Sequence, residues 1–206
     1  MSDDTDTRPV RTQTQRSDAT RDRILAAAAA TLSTKGYSES RLSEIAAVAN
    51  LRPPAVYYYF DSRDDLIAEV MRVGQVRVRE HVEDAMRQLP AASDPLDRVD
   101  VAVEAHLRVQ LELSDFANAV TRNAGHVPTV VREALQRESE AYHSVWRDLL
   151  HEAFAAGRIR GDLDQTIARM LVIGALNWAT EWWTGDQAID ELVTQAQSLV
   201  RSALTP

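Results

Sequence analysis

The chain has 206 residues, 45% of them hydrophobic, with seven Gly, seven Pro and no Cys. That length accommodates one small and one moderate domain, and the composition suits an all-helical globular fold. Without Cys, disulfides and thiol chemistry are excluded; no stretch approaches the ~20 apolar residues of a membrane span, so a soluble, cytoplasmic protein is expected.

The formal net charge of −8 is unevenly spread. Residues 8–63 carry nine Lys/Arg against five Asp/Glu, a balance of +4, whereas residues 71–206 carry 14 against 20, a balance of −6. A basic end on an acidic body orients the molecule towards a polyanion.

Residues 1–17 lack apolar periodicity and read as a mobile tail. Arg8, Arg11 and Arg16 there form either a solvated segment or a basic arm for a minor groove. A first helix is expected from about residue 17 or 18 to 34, with Ile24, Ala27, Ala28 and Leu32 on one side and Gly36 as its stop. Residues 42–63 then read as two short helices joined by a tight turn. Ile45, Leu51, Val56 and Phe60 supply the inward apolar set, and Ala46 is small where the helices cross. Asn50 accepts the left-handed conformation that a helix end needs. Pro53 and Pro54 suit a first turn, whose amides lack intrahelical partners anyway. A helix-turn-helix of this kind offers its second helix to the DNA major groove.

The order Lys35-Gly36-Tyr37, Ser40-Arg41-Leu42, Glu44-Ile45-Ala46, Val56-Tyr57-Tyr58-Tyr59-Phe60, Ser62-Arg63 and Leu66 resembles the N-terminal domain of the TetR family of bacterial transcriptional regulators. The resemblance spans roughly residues 18–70. It departs from the family pattern at Asn50, where Gly is usual, at Arg52-Pro53-Pro54, where Ser-x-Gly is common, and at Arg63, where Lys is usual. The two prolines remove backbone donors, so the DNA site is expected to be shifted, not lost. The resemblance implies phosphate contacts by Ser40, Arg41, Tyr57 and Arg63, which would make affinity salt-dependent. Ala55 and Tyr58, three apart on the outward face with Pro54 beside them, are placed to meet base edges. Arg52 reads guanine or grips the backbone. Tyr59 is left between core and surface, whereas Val56 and Phe60 are assigned to the core.

Ser62-Arg63-Asp64-Asp65 resembles a capping box opening a fourth helix that runs to about residue 89. Asp94-Pro95 opens a fifth, with Leu96, Val99, Val103, Leu107 and Leu111 at helical spacing. A short helix near 115–123, a long one from Pro128 to about 156, an eighth from 163–164 and a last one ending near 203 complete an all-α chain of nine helices. The eighth is apolar nearly all round: between Ile167 and Trp183 the strongly polar residues are Arg169, Asn177, Thr180 and Glu181. Such a helix needs cover on more than one side. A second subunit provides it, with Leu171, Ala175 and Trp182 on the eighth helix and Leu192, Ala196 and Leu199 on the ninth at an isologous four-helix interface.

The expected division is a tail at 1–17, a helix-turn-helix DNA-binding domain at 18–62, and a ligand-binding and dimerisation domain at 63–206. The resemblance implies an effector pocket in the larger part. Its candidates are the polar or aromatic groups His106, Gln110, Arg122, Asn123, Tyr142, Trp146, Asn177 and Trp178, each read as pocket-lining or as packing. The segment GALNWATEWW is also similar to the eighth helix of regulators that respond to acyl-CoA thioesters. No catalytic residues, metal ligands or cofactor are assigned. His143 and His151 share a helix face with Arg147 but stand two turns apart, too far for one metal. The reading is a homodimeric repressor that leaves a pseudo-palindromic operator when a small hydrophobic effector binds. An activator of the same family, or a helical ligand carrier with no DNA role, are the alternatives.

Overall fold

The structure is a computed structural model that describes residues 13–186 and 188–206. Among these residues are nine α-helices, one π-helical turn and no strand. They are α1 (Gln13–Glu39), α2 (Leu42–Val48), α3 (Pro53–Val56), α4 (Arg63–Arg87), α5 (Pro95–Arg108), α6 (Asp115–Asn123), α7 (Thr129–Ala155), α8 (Gln165–Trp182) and α9 (Ile189–Leu204), with the π turn at Val109–Leu113 between α5 and α6.

α1 starts earlier than the expected 17 or 18, so residues 13–17 are helical and not tail. Arg8 and Arg11 lie outside the described residues. The alanine run 26–30 favours helix through low side-chain entropy cost, and Ile24, Ala28 and Leu32 bury one stripe of it. Gly36 (φ 77°, ψ 173°) breaks α1 before its last residues, a conformation outside the range of L side chains. α2 ends in a Schellman motif: Leu51 N donates to Ala46 O (2.8 Å), Asn50 N donates to Ala47 O (3.0 Å), and Asn50 takes the left-handed φ of 53°. Arg52 precedes Pro53 and Pro54 at the start of α3, whose turn continues through Phe60 N donating to Val56 O (3.1 Å). Ser62 caps α4, its Oγ accepting from Asp65 N (3.0 Å) and donating to Asp65 Oδ2 (2.8 Å).

Two large buried clusters, with a small third of Val78, Val109 and Ala117, divide the molecule differently from a simple cut at 62/63. The first gathers α1–α3, the start of α4, and Phe116, Ala119, Val120, Val127, Val131 and Leu135 from α6, α7 and the loop between them. The second joins Val82 of α4 to α5, α7, α8 and α9. α4 crosses both. Its closest approach is at Gly74, where an added Cβ would lie 2.2 Å from Phe116 O and 2.5 Å from Val120 Cγ2 of α6. α6 is further tied to the end of α1. Asn123 Oδ1 accepts from Tyr37 N (2.6 Å), Asn123 Nδ2 donates to Leu32 O (3.2 Å), and Arg122 donates to Ser33 O (2.8 Å).

Candidate nucleic-acid interface and internal cavity

α3 and its following turn project Tyr57 and Tyr58 to solvent, Tyr58 being 82% exposed. Ala55 is half-buried and Pro54 exposed on the same side. Arg41, at the start of α2, and Arg52, before α3, are exposed, and neither has an acidic partner among the described residues. These exposed residues offer two guanidiniums without an acidic partner and two aromatic rings. Val56 and Phe60 are buried as expected, and Tyr59 is half-buried, edge-on to Tyr58.

Two of the expected phosphate ligands need correction. Ser40 is fully buried and its hydroxyl donates to Gly36 O (2.6 Å), so it is a fold contact. Arg63 turns back under α1: Nε donates to Ser40 O (2.6 Å), a second nitrogen donates to Tyr37 O, and the third lies 3.4 Å from Asp64 Oδ1. Its guanidinium also sits 4.3 Å from the centre of the Tyr37 ring. With all three nitrogens engaged, Arg63 is a strut that fixes α4 against α1.

Between α4, α6, α7 and α8 lies a cavity of about 280 Å³. Val78, Val120, Met170 and Ile173 give it an apolar lining, interrupted by Gln75, Gln110, Tyr142, His143 and Asn177. It shares Gln75, Val120, Ala124, Ser139, His143 and Met170 with a wider cleft of about 600 Å³, which is also lined by Arg132, Arg147 and Arg169 and by Glu133 and Glu140. None of those three arginines has an acidic partner within ion-pair distance among the described residues. Arg132 donates to Val127 O (3.2 Å), Arg169 donates to His143 O (3.4 Å), and Arg169 Nε is buried without a partner. Burial lowers the pKa of His143, and the charges of Arg169 and Arg147 lower it further.

Of the eight expected pocket residues, Gln110, Tyr142 and Asn177 line this cavity. His106 stands behind it, its Nδ1 2.5 Å from Tyr142 Oη, with Trp146 edge-on beyond. Burial pushes the His106 pKa down to about 4, partly opposed by Asn177, so the ring is neutral near pH 7. The Tyr142 hydroxyl is pushed up by burial.

The others do not line it. Asn123 is consumed in holding α6 to α1, Arg122 is exposed, and Trp178 is 64% exposed. Arg122, Asn123 and Trp178 instead border a separate surface cleft of about 560 Å³ beside the end of α1. Sequence reasoning missed Gln75, Arg132, Arg147 and Arg169. Arg169 carries a signal in the sequence, as a charge on a nearly apolar helix.

On the expected dimer face, Leu171 of α8 (68%) and Leu199 of α9 (71%) are largely exposed, and Ala175 and Trp182 are exposed beside Leu171. Leu192 and Ala196 are half-buried against the second core of their own chain.

The description "Bacterial regulatory proteins, tetR family" matches residues 24–70, and "Tetracyclin repressor-like, C-terminal domain" matches residues 92–204. The chain belongs to the TetR family. It is a DNA-binding transcriptional regulator. Over 178 residues it is 22% identical to the fatty acid metabolism regulator protein of Bacillus subtilis (strain 168), covering 86% of this chain and 90% of that one. Its fold is similar to that of AibR in complex with isovaleryl coenzyme A and operator DNA (TM-score 0.78, 19% identity, 91% of this chain and 99% of that one). It is also similar to FadR from Bacillus subtilis in complex with stearoyl-CoA (TM-score 0.75, 18% identity, 89% and 98%). No helix among the described residues of this TetR-family protein is long and apolar enough to cross a membrane.

Proposed function

We propose that this TetR-family chain is a homodimeric, cytoplasmic repressor released from a pseudo-palindromic operator by an acyl-CoA-type effector, with no enzymatic role. The observation that carries the reading is the apolar cavity adjoining a cleft that carries three arginines without an ion-pair partner against two glutamates, Glu133 and Glu140. Such a site suits an amphiphile, with hydrocarbon inside and phosphate at the rim. AibR and FadR, each solved with a coenzyme A thioester, support the class.

The DNA face comprises Arg41, Arg52, Pro54, Ala55, Tyr57 and Tyr58, and the apolar face of α8 with Leu199 joins two copies. Two recognition helices then sit one DNA turn apart, about 34–36 Å. α6 carries the response: its Thr121 lines the cavity while Arg122 and Asn123 hold α1. An effector that favours a displaced α6 changes the spacing of the two helices and lowers DNA affinity, through its differential affinity for the two states.

The test is fluorescence anisotropy of the protein on the DNA flanking its own gene, with octanoyl-CoA, palmitoyl-CoA or free CoA added. The thioesters are expected to release the DNA and free CoA to leave it bound. Retention with every thioester would exclude the effector class. Sedimentation should give about twice the 23.0 kDa chain mass, and Leu171→Asp should give monomer; a wild-type monomer at micromolar concentration would remove the dimer.

A further inference from the structure

We infer that the part of the effector held inside the cavity carries an oxygen, a carbonyl or hydroxyl set within hydrocarbon, that is read by the carboxamides of Gln110 and Asn177. The inference rests on the reading of this cavity as the effector site and narrows the chemistry of what it takes.

Gln110 belongs to the π-helical turn Val109–Leu113, which turns it into the cavity wall. It is only 4% exposed. Its Oε1 accepts from Thr121 Oγ1 (2.8 Å), which leaves the NH₂ of the carboxamide to face the cavity it lines. Buried polar groups are almost always hydrogen-bonded, so Gln75 Oε1, buried without a partner on the same cavity lining, points to a ligand or water there. Wide turns of this type recur at functional sites.

Asn177 supplies a second carboxamide from α8. With Tyr142 Oη donating its hydrogen bond to Nδ1, the neutral His106 ring carries its proton on Nε2. Nε2 has no hydrogen bond of good geometry, and Asn177 is the polar side chain that faces it. With the Asn177 oxygen turned to that N–H, its NH₂ is left for the cavity. Gln75 Oε1 on the α4 wall is likewise buried and unpartnered. A plain alkyl chain would displace water from these groups and return no hydrogen bond. A carbonyl or hydroxyl oxygen accepts from the two NH₂ groups, and a hydroxyl also donates to Gln75 Oε1, while Val78, Val120 and Ile173 line the surrounding carbon.

The experiment is calorimetric titration of the full chain with octanoyl-CoA and with its 3-oxo, 5-oxo and 7-oxo derivatives. At least one oxo ester is expected to bind about tenfold or more tightly than octanoyl-CoA. Gln110→Met and Asn177→Leu should each bring that ratio towards one by tightening octanoyl-CoA and weakening the oxo ester. If Gln110→Met loses its fold through the stranded Thr121 hydroxyl, Asn177→Leu carries the test, with circular dichroism checking that loss of its contact with His106 leaves the fold intact. Octanoyl-CoA binding as tightly as every oxo ester, or a ratio unchanged in Asn177→Leu, would overturn the inference and leave the acyl-CoA reading standing. Failure of all four to bind would overturn both.

Discussion

Replacing Asn123 by Leu removes the polar tie between the effector half and the DNA-binding half while keeping the side chain's volume. Asn123 is buried at the end of α6, where Oδ1 accepts from Tyr37 N (2.6 Å) and Nδ2 donates to Leu32 O (3.2 Å) and Ala119 O (2.8 Å). The Ala119 bond is local to α6; the other two cross to α1. Leucine strands the Tyr37 N–H beside the Gly36 break and weakens the environment of the Leu32 carbonyl. An orphaned buried group costs about 1–3 kcal/mol, so two partly solvated ones should cost about 2–4 kcal/mol together. Urea unfolding followed by far-UV circular dichroism, at one fixed protomer concentration, reads this as a lower midpoint at unchanged slope. Arg122→Ala, which removes one bond from an exposed side chain to Ser33 O, should cost about 1 kcal/mol or less. If Asn123→Leu stays within about 0.5 kcal/mol of wild type, apolar contact of Phe116, Ala119 and Val120 alone holds α6, and the tie has no energetic role.

Gly74→Ala should destabilise by about 1–3 kcal/mol or more, because its Cβ meets backbone at Phe116 O and no side-chain rotation relieves that; thermal melting checks it, and an unchanged midpoint would mean that α4 and α6 part freely. Arg52→Ala should reduce the slope of log affinity against log salt by about 0.9 if it neutralises one phosphate, whereas Arg63→Ala should lower thermal stability and leave that slope unchanged; the reverse pattern would restore Arg63 as a DNA ligand. The folded-state pKa of His106, about 4 against the usual 6.5, means the unfolded chain takes up that proton first as pH falls. Its contribution is complete above pH ~6.5 and lost towards pH ~4, roughly 3 kcal/mol in all. Denaturant titrations across that window should show His106→Leu lacking this share of the pH dependence; parallel curves would place a charged or solvated ring at 106.

Local chemistry made most element ends legible. Asn50 at a left-handed turn, Ser62 and Asp94 at caps, and Pro53-Pro54 in a first turn each act within four residues of themselves, so spacing alone located them. The start of α1 was not legible, because residues 13–17 have no apolar stripe to mark them. Ser40 and Arg63 looked like free polar groups until Gly36 redirected the chain; their partners are set by that backbone break and by α4 lying under it. The spacing of Leu107 and Leu111 implied an uninterrupted helix, and the π turn that inserts Gln110 into the wall leaves no mark on that periodicity. Among the residues that line the cavity, polarity on apolar helices points to Tyr142 and Asn177 but does not separate them from Trp178, which lies on an outward face of the same helix as Asn177. The convergence of Arg132, Arg147 and Arg169 depends on how α7 and α8 cross, which no single segment encodes.

The most direct measurement is an anisotropy titration against the DNA flanking the chain's own gene over a salt series, with a scrambled duplex of equal length beside it. A regulator reading DNA through Arg41, Arg52, Tyr57 and Tyr58 should bind one discrete palindrome tightly, lose affinity steeply with salt, and lose its preference over the scrambled duplex in Tyr58→Ala. Equal affinity for both duplexes at every salt concentration, unaltered by Tyr58→Ala, would contradict sequence-specific recognition by this face.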